Sequence, residues 1–151
     1  MTATVGDAAT ASLAVDVETI ERYAALVGDD NPLHTDPAYA EETVLEGRVA
    51  HGMLSGGVVS AALAELPGDV VYISQDLEFT APVRPGETVV AEAAVVEDLG
   101  DGKVRVRTVA HAAADEAAAR EALTADDPDT RVIVGEATVL STSHETPARA
   151  D

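Results

Sequence analysis

The segment Gly-Asp-Asp-Asn-Pro-Leu-His at residues 28–34 carries side chains suited to acid–base chemistry. Asp29 and His34 lie five positions apart, and Pro32 stiffens the chain between them because its ring fixes φ. An ionised aspartate and a neutral imidazole could hold one water molecule between two acceptors, and a base in that position activates water. The same segment is also typical of a turn without catalytic function. In that case Asp29 would stabilise the turn, and the His34 ring would be a surface or core side chain with its hydrogen bonds made within the protein. We interpret Asp30 as a solvated surface residue.

A second segment, His-Gly-Met at residues 51–53, stands at the start of a long apolar stretch. The stretch covers residues 50–66, which is too long for one strand and nearly apolar on all sides, so it predicts a buried helix. Gly52 would then lie at the helix N-terminus, where backbone N–H groups lack partners and the helix dipole favours negative charge. Gly52 could equally be kept for close packing, and the two roles are compatible. We interpret His51 as positional rather than chemical.

Periodicity and turn signals predict the helices and strands that carry these two segments. Apolar residues at helical spacing predict a helix over 17–27, with Gly28 as its stop. Residues 29–34 are predicted as a loop, and Asp36 as the cap of a short helix that ends near residue 43. Strands are predicted at 71–79, which alternates as a half-buried strand does, and at 88–97, 104–110 and 131–140.

The domain organisation is predicted as one folded unit, since 151 residues suit a single domain. Residues 1–13 are predicted as a tail leading into a first strand, residues 14–141 as the domain, and residues 142–151 as a solvated tail. Within the domain, residues 114–130 predict an acidic surface insertion with a short helix and then a loop. A buried helix followed by antiparallel strands predicts an α+β fold in which the sheet curls around the helix.

Charge and composition exclude several classes of function. Twenty-eight acidic residues against nine basic ones give a net charge of −19, and Lys103 is the one lysine. Such a surface excludes a nucleic-acid partner, because affinity there comes from neutralising phosphates. The pattern is typical of proteins adapted to a high-salt cytoplasm. No apolar run approaches the roughly 18 residues of a membrane span, and no secretory signal is evident, so we expect a cytoplasmic protein without membrane attachment.

The same composition predicts no metal and no cofactor. Cysteine is absent, which removes disulfides and thiolate ligands. The four histidines, at positions 34, 51, 111 and 144, are scattered, and no metal-binding spacing is present. No glycine-rich phosphate-binding loop is found.

The combination of these motifs resembles the hydratase-2 motif of MaoC-like hot-dog proteins. The matching parts are the Asp-x-Asn-Pro-Leu-His loop at 29–34, the His-Gly-Met at 51–53, the strand at 72–79 and the turn at 82–87. The resemblance covers about residues 15–140. It implies a hot-dog fold, with an antiparallel sheet wrapped around a long central helix. It also implies (R)-specific hydration of a trans-2-enoyl-CoA, in polyhydroxyalkanoate supply or in fatty-acid metabolism.

The resemblance also assigns residues to roles. Asp29 and His34 match the catalytic pair, and the order of their proton transfers stays open. The N–H of Gly52 would stabilise negative charge on the substrate carbonyl. Asn31 is expected to brace the loop through backbone hydrogen bonds. Ser60 matches a serine that points to the active site, or it is an ordinary small residue of a tightly packed helix.

Two other functions are compatible with this fold, and one assembly is expected. A hot-dog thioesterase would hydrolyse the same type of substrate, but such enzymes generally carry an acid on the central helix, and none is found from His51 to Leu63. A non-catalytic acyl-binding or dimerisation module would be expected to lack Asp29 or His34. Because an exposed sheet edge is usually paired, we predict a homodimer with a continuous sheet and an acyl tunnel near the subunit boundary.

Overall fold

One antiparallel sheet and five helices make up the fold over residues 1–143, the part of the chain that the computed structural model describes. The elements in chain order are β1 (Ala8–Val15), α1 (Val17–Val27), α2 (Pro32–Thr35), α3 (Pro37–Glu41), α4 (Gly52–Ala64), β2 (Asp69–Phe79), β3 (Glu87–Gly100), β4 (Lys103–Ala113), α5 (Glu116–Ala125) and β5 (Arg131–Thr142). The strands lie in the order β1-β3-β4-β5-β2, so β1 and β2 are the two edges. The predicted α+β class is confirmed.

Helix α4 is the centre of the core and packs against β1, β2, β3 and β4. Apolar side chains cover nearly all of its sides, so the helix is stabilised by burial and not by one amphipathic face. Full burial of each valine or leucine contributes about 1.5–3 kcal/mol. The predicted hot-dog arrangement is confirmed, and the buried helix is two residues shorter at each end than the predicted 50–66. Its buried apolar residues are Leu54, Val58, Val59, Ala62 and Leu63.

Helix α1 has the predicted bounds because both of its ends carry clear chemical signals. The side chain of Asp16 accepts a hydrogen bond from the N–H of Thr19 at 2.7 Å and so caps the first turn. Hydrogen bonds from Thr19 lower the pKa of the Asp16 carboxyl. Gly28 ends the helix at φ 80°, a left-handed conformation that glycine adopts without strain. The chain therefore passes directly from the end of α1 into Asp29.

The segment predicted as a loop over 29–34 contains a helical turn, α2, so that prediction was wrong for its last residues. Pro32 blocks continuation of α1, but proline is also favoured at the first position of a new helix. The side chain of Asn31 caps this turn by accepting from the N–H of Leu33 at 3.0 Å. Helix α3 then begins at its Asp36 cap, as predicted.

The two ends of the described chain are more ordered than the sequence suggested. Strand β1 begins at Ala8, inside the segment predicted as a tail and lead-in, and pairs with β3. The N–H of Ala3 donates to Ser141 Oγ at 2.8 Å, which fastens the N-terminal residues to β5. Strand β5 continues to Thr142, into the segment predicted as a solvated tail. The rest of that predicted tail, residues 144–151, lies outside the described residues.

Strand β2 is exposed at eight of its eleven residues, although its alternating sequence predicted a half-buried strand; Leu77 is among the three that are partly buried. Ile73 is 51% exposed and Val71 is 53% exposed, and Phe79 is also on the surface. Period-two alternation identifies the two faces of a strand, but it does not show whether another part of the chain covers either of them. Strand β2 is therefore an edge strand with uncovered apolar side chains.

Helix α5 forms in the predicted acidic insertion and packs against β3 and β4. Asp115 caps it, and Asp126 ends it in a left-handed conformation at φ 50°. His111 is fully buried nearby, and its Nδ1 lies 2.9 Å from Thr130 Oγ1. Burial lowers the pKa of His111.

None of the helices over residues 1–143 combines the length and the apolar character needed to cross a bilayer.

Candidate active site

Asp29, His34 and His51 meet at one point of the structure. One ligand-type atom of each, a carboxylate oxygen or a ring nitrogen, lies within 4.8 Å of the other two. Asp29 follows the end of α1, His34 lies on α2, and His51 is the residue that precedes α4. The sequence-predicted pair is thus brought together, and a residue interpreted only as positional joins it.

His34 has a defined tautomer. Its Nδ1 lies 2.7 Å from the carbonyl oxygen of Val49, and because a carbonyl can only accept, Nδ1 must carry the proton. In the neutral ring Nε2 therefore keeps its lone pair. A ring nitrogen in this state can accept a proton from water, and the carbonyl on the other side of the ring fixes its orientation.

Asp29 contributes its backbone as well as its carboxylate. The carbonyl oxygen of Asp29 lies 2.8 Å from Nε2 of His51 and accepts a hydrogen bond from it. The carboxylate is exposed, and one of its oxygens accepts from the N–H of Asn31 at 3.4 Å. Asn31 therefore holds the loop through two contacts, its own N–H to Asp29 and its side chain to α2.

His51, which the sequence analysis interpreted as positional, is packed between aromatic rings. It is 3% exposed, and its ring stacks on that of His34 with centroids 3.9 Å apart. The ring of Tyr23 contacts it in a tilted arrangement, at a centroid distance of 4.7 Å. Because Nε2 donates to Asp29, Nδ1 keeps a lone pair, and this atom has no partner within residues 1–143.

A cavity of about 380 Å³ opens beside this cluster. His34, His51, Gly52 and Ser55 line it together with mostly apolar side chains from the start of β5 and the turn before β3. Gly52 is packed closely there, because a Cβ at this position would lie 2.9 Å from Cε1 of Phe79. The first N–H groups of α4, which lack intrahelical partners, begin at this residue.

Ser60 lies elsewhere. It lines a second cavity of about 450 Å³ together with residues of β2 and the adjoining face of α4. The Tyr72 hydroxyl in the same cavity donates to Gln75 Oε1 at 3.0 Å, and burial raises the pKa of Tyr72. Ser60 is not among the residues that line the cavity beside His34. The structure brings Ser55, and not Ser60, to the predicted site.

The cluster also offers a set of donors that could bind a metal ion. One carboxylate and two imidazoles lie together, and each imidazole donates its other ring N–H to a backbone carbonyl. Histidines that bind zinc commonly have such a partner. The sequence analysis predicted no metal because the histidines are far apart in the chain, whereas the fold brings His34 and His51 into contact.

Known proteins are similar to this chain in sequence and in fold. A family model described as a MaoC-like domain matches residues 3–119. The (R)-specific enoyl-CoA hydratase of Rhodospirillum rubrum is 44% identical over 92 residues, which cover 60% of this chain and 64% of that enzyme. The 3-hydroxybutyryl-CoA dehydratase of Methylorubrum extorquens is 44% identical over 77 residues, covering 50% of this chain and 49% of that enzyme. The chain thus spans less than two thirds of the length of these two relatives.

Solved structures resemble the chain over most of its length. The unliganded R-hydratase PhaJ1 of Pseudomonas aeruginosa has a TM-score of 0.75 and 32% identity, covering 98% of this chain and 92% of that one. The (R)-hydratase of Aeromonas caviae, described as involved in polyhydroxyalkanoate biosynthesis, has a TM-score of 0.75 and 29% identity, covering 92% of this chain and 97% of that one.

Proposed function

The chain belongs to the MaoC-like family, and from this membership we propose that it is an (R)-specific enoyl-CoA hydratase. The reaction adds water across the 2,3 double bond of a trans-2-enoyl-CoA and gives the (R)-3-hydroxyacyl-CoA. The observation that carries the proposal is the imidazole of His34, with a free lone pair on Nε2, beside a cavity that begins at the Gly52 end of α4. The hydratase relatives support the same reaction.

The mechanism requires a base, a proton donor and a site for transient negative charge. His34 Nε2 and the Asp29 carboxylate are acceptors able to hold one water and remove its proton as its oxygen bonds to C3. The electrons of the double bond move toward the thioester carbonyl, whose oxygen becomes negatively charged. The N–H of Gly52, at the positive end of the α4 dipole, stabilises this charge. A proton then returns to C2 from the protonated base, so water is added without other reactants.

The cavity suits an acyl chain. Val49, Val83, Val132 and Ile133 give it apolar walls, and the polar groups gather at the α4 end. Such a distribution binds a hydrocarbon chain while fixing the position of one polar group. We therefore expect an acyl-CoA substrate whose thioester lies at the α4 end.

The test is direct incubation with crotonyl-CoA in high salt. We expect loss of the enoyl absorbance and formation of 3-hydroxybutyryl-CoA, and chiral analysis should give the (R) product. Release of free CoA in place of hydration would favour the thioesterase, although α4 carries no acid between Gly52 and Ala64. Binding without either reaction would favour a non-catalytic acyl-binding module.

A homodimer is part of the proposal. Strand β2 is a sheet edge, and such an edge is usually covered by another strand. Its exposed Val71, Ile73 and Phe79 offer apolar area to a second copy. Phe79 also lines the cavity beside His34, so pairing at this edge would place the acyl site near the subunit boundary.

The cellular setting is proposed from the charge of the surface. The charge of −19 with a single lysine suits a high-salt cytoplasm, in which the Debye length at about 1 M salt is roughly 3 Å. At that screening length the acidic surface would not repel an anionic CoA ester at a distance. Supply of polyhydroxyalkanoate precursors and fatty-acid metabolism both use this reaction, and a series of enoyl chain lengths would distinguish preferred substrates.

A further inference from the structure

Ser55 is a buried residue of α4 whose hydroxyl has no hydrogen-bond partner within residues 1–143. The residue is 2% exposed and lines the cavity beside His34. A buried hydroxyl without a partner costs folding free energy, because it loses its hydrogen bonds to water. Its retention in the wall of a binding cavity therefore indicates that a bound molecule supplies the missing partner.

The position of Ser55 on the helix shows which part of a substrate it would meet. Ser55 is three residues after Gly52, so the two lie on the same face of α4 one turn apart. Side chains of a helix tilt toward its N-terminus, so the hydroxyl lies over the turn that begins at Gly52. A backbone N–H and a side-chain O–H, both donors, are thus at the same end of the cavity.

On the basis of the hydratase reaction proposed above, we propose that Ser55 is a catalytic residue that donates a second hydrogen bond to the thioester carbonyl oxygen. The walls contributed by Val83, Val132 and Ile133 are apolar, so they leave the hydroxyl free for the substrate. The carbonyl oxygen is the strong acceptor of an enoyl thioester next to the reacting carbons. Its negative charge rises as water attacks C3, so a donor at this atom lowers the barrier more than it strengthens substrate binding.

His51 provides the competing explanation for the hydroxyl. Its Nδ1 is an acceptor without a partner, four residues before Ser55 on the same helix face. If the hydroxyl turned to Nδ1, Ser55 would only hold the ring of His51 in place. Loss of such a bond would lower stability and leave the substrate carbonyl unaffected.

Kinetics of Ser55→Ala, Ser55→Thr and a matched control separate the two explanations. We expect Ser55→Ala to lower kcat by about 100-fold with KM changed less than about threefold, as loss of one oxyanion donor does. Ser55→Thr keeps the hydroxyl and should remain within about tenfold of the wild type. The melting temperature of Ser55→Ala should not fall, because no protein hydrogen bond is lost. Ser12→Ala removes an exposed hydroxyl on β1, outside the lining of this cavity, and should leave kcat unchanged.

A second measurement does not depend on turnover. Hexanoyl-CoA is saturated and cannot be hydrated, and its thioester carbonyl band in the infrared moves to lower frequency when the oxygen accepts hydrogen bonds. We expect a larger shift on the wild type than on Ser55→Ala. An equal shift on both proteins, or unchanged kcat in Ser55→Ala, overturns the role of Ser55. If hexanoyl-CoA binds but no enoyl-CoA is hydrated, the proposed function fails and the carbonyl band alone decides the role of Ser55.

Discussion

At the scale of single residues, Asp29 and His34 are held in different ways. His34 is fixed by a carbonyl on one ring nitrogen and by stacking on His51, and it lines the cavity. The Asp29 carboxylate is exposed, but its backbone carbonyl is bound to His51. Asp29 thus offers an exposed carboxylate to the site and holds the ring of His51 through its backbone carbonyl.

Substitution of each residue tests the pair. Asp29→Asn and His34→Ala should each lower kcat for crotonyl-CoA by at least about 100-fold, the scale of an acid–base group. Asp30→Asn is the matched control, since this exposed neighbour should leave turnover unchanged. Steady-state kinetics on proteins with equal melting temperatures give the comparison. Full activity of Asp29→Asn beside an inactive His34→Ala would remove the carboxylate from the mechanism and leave Asp29 its backbone role alone.

The sequence predicted part of this site. Asp29, His34 and Gly52 could be found because they lie in two short motifs of specific spacing. The stacking of His51 on His34 could not, because it depends on how the segment before α4 meets α2, which periodicity does not describe. Ser55 was not considered, and two roles were left open for Ser60. The two residues are five positions apart, so the helix turns them toward different cavities.

Among the helices and strands, the best predictions combined periodicity with a chemical signal at an end. Apolar spacing and the Gly28 stop predicted α1, and Asp36 predicted the start of α3. Helix α2 was missed because Pro32 both ends one helix and begins another. The exposure of β2 was missed because it depends on which strands lie beside it in the sheet, and β5, its one neighbour, comes last in the described chain.

The pairing of β2 with β5 depends on a close approach at Gly135. A Cβ there would lie 2.0 Å from the carbonyl oxygen of Asp76, a distance that forces the backbones apart. Gly135→Ala should therefore lower the free energy of unfolding by at least about 2 kcal/mol, within the range of overpacking costs. Gly57→Ala is the control, because a Cβ at Gly57 meets nothing within 4 Å and alanine favours the helix by up to about 1 kcal/mol. Denaturant titration measures both, and equal stability of the two variants would contradict the argument.

For the complete fold, the sequence predicted the fold class and the family, and both are confirmed. The homodimer is a proposal. The exposed apolar side chains of β2 are the surface feature that the sequence did not reveal. An uncovered edge of this kind would favour aggregation in a monomer, which supports pairing between copies.

Sedimentation velocity in about 1 M salt, where the charge of −19 is screened, tests the dimer. We expect a species of twice the chain mass, and Ile73→Glu should shift it to monomer because a charge at a paired apolar edge is not tolerated. Glu78→Gln, an exposed change on the same strand, should leave the dimer intact. A wild-type protein that sediments only as a monomer would end the proposal of a shared sheet.

The bond between His51 Nε2 and the Asp29 carbonyl joins two segments that are 22 residues apart in the chain. Neither segment can be exchanged independently, because the loop that carries Asp29 is held by a hydrogen bond from His51, the N-cap residue of α4. A chimera that imports residues 28–35 from a distant relative would keep its geometry only if it also retains an imidazole at position 51. For protein engineering, the transferable unit is therefore the loop together with the helix start.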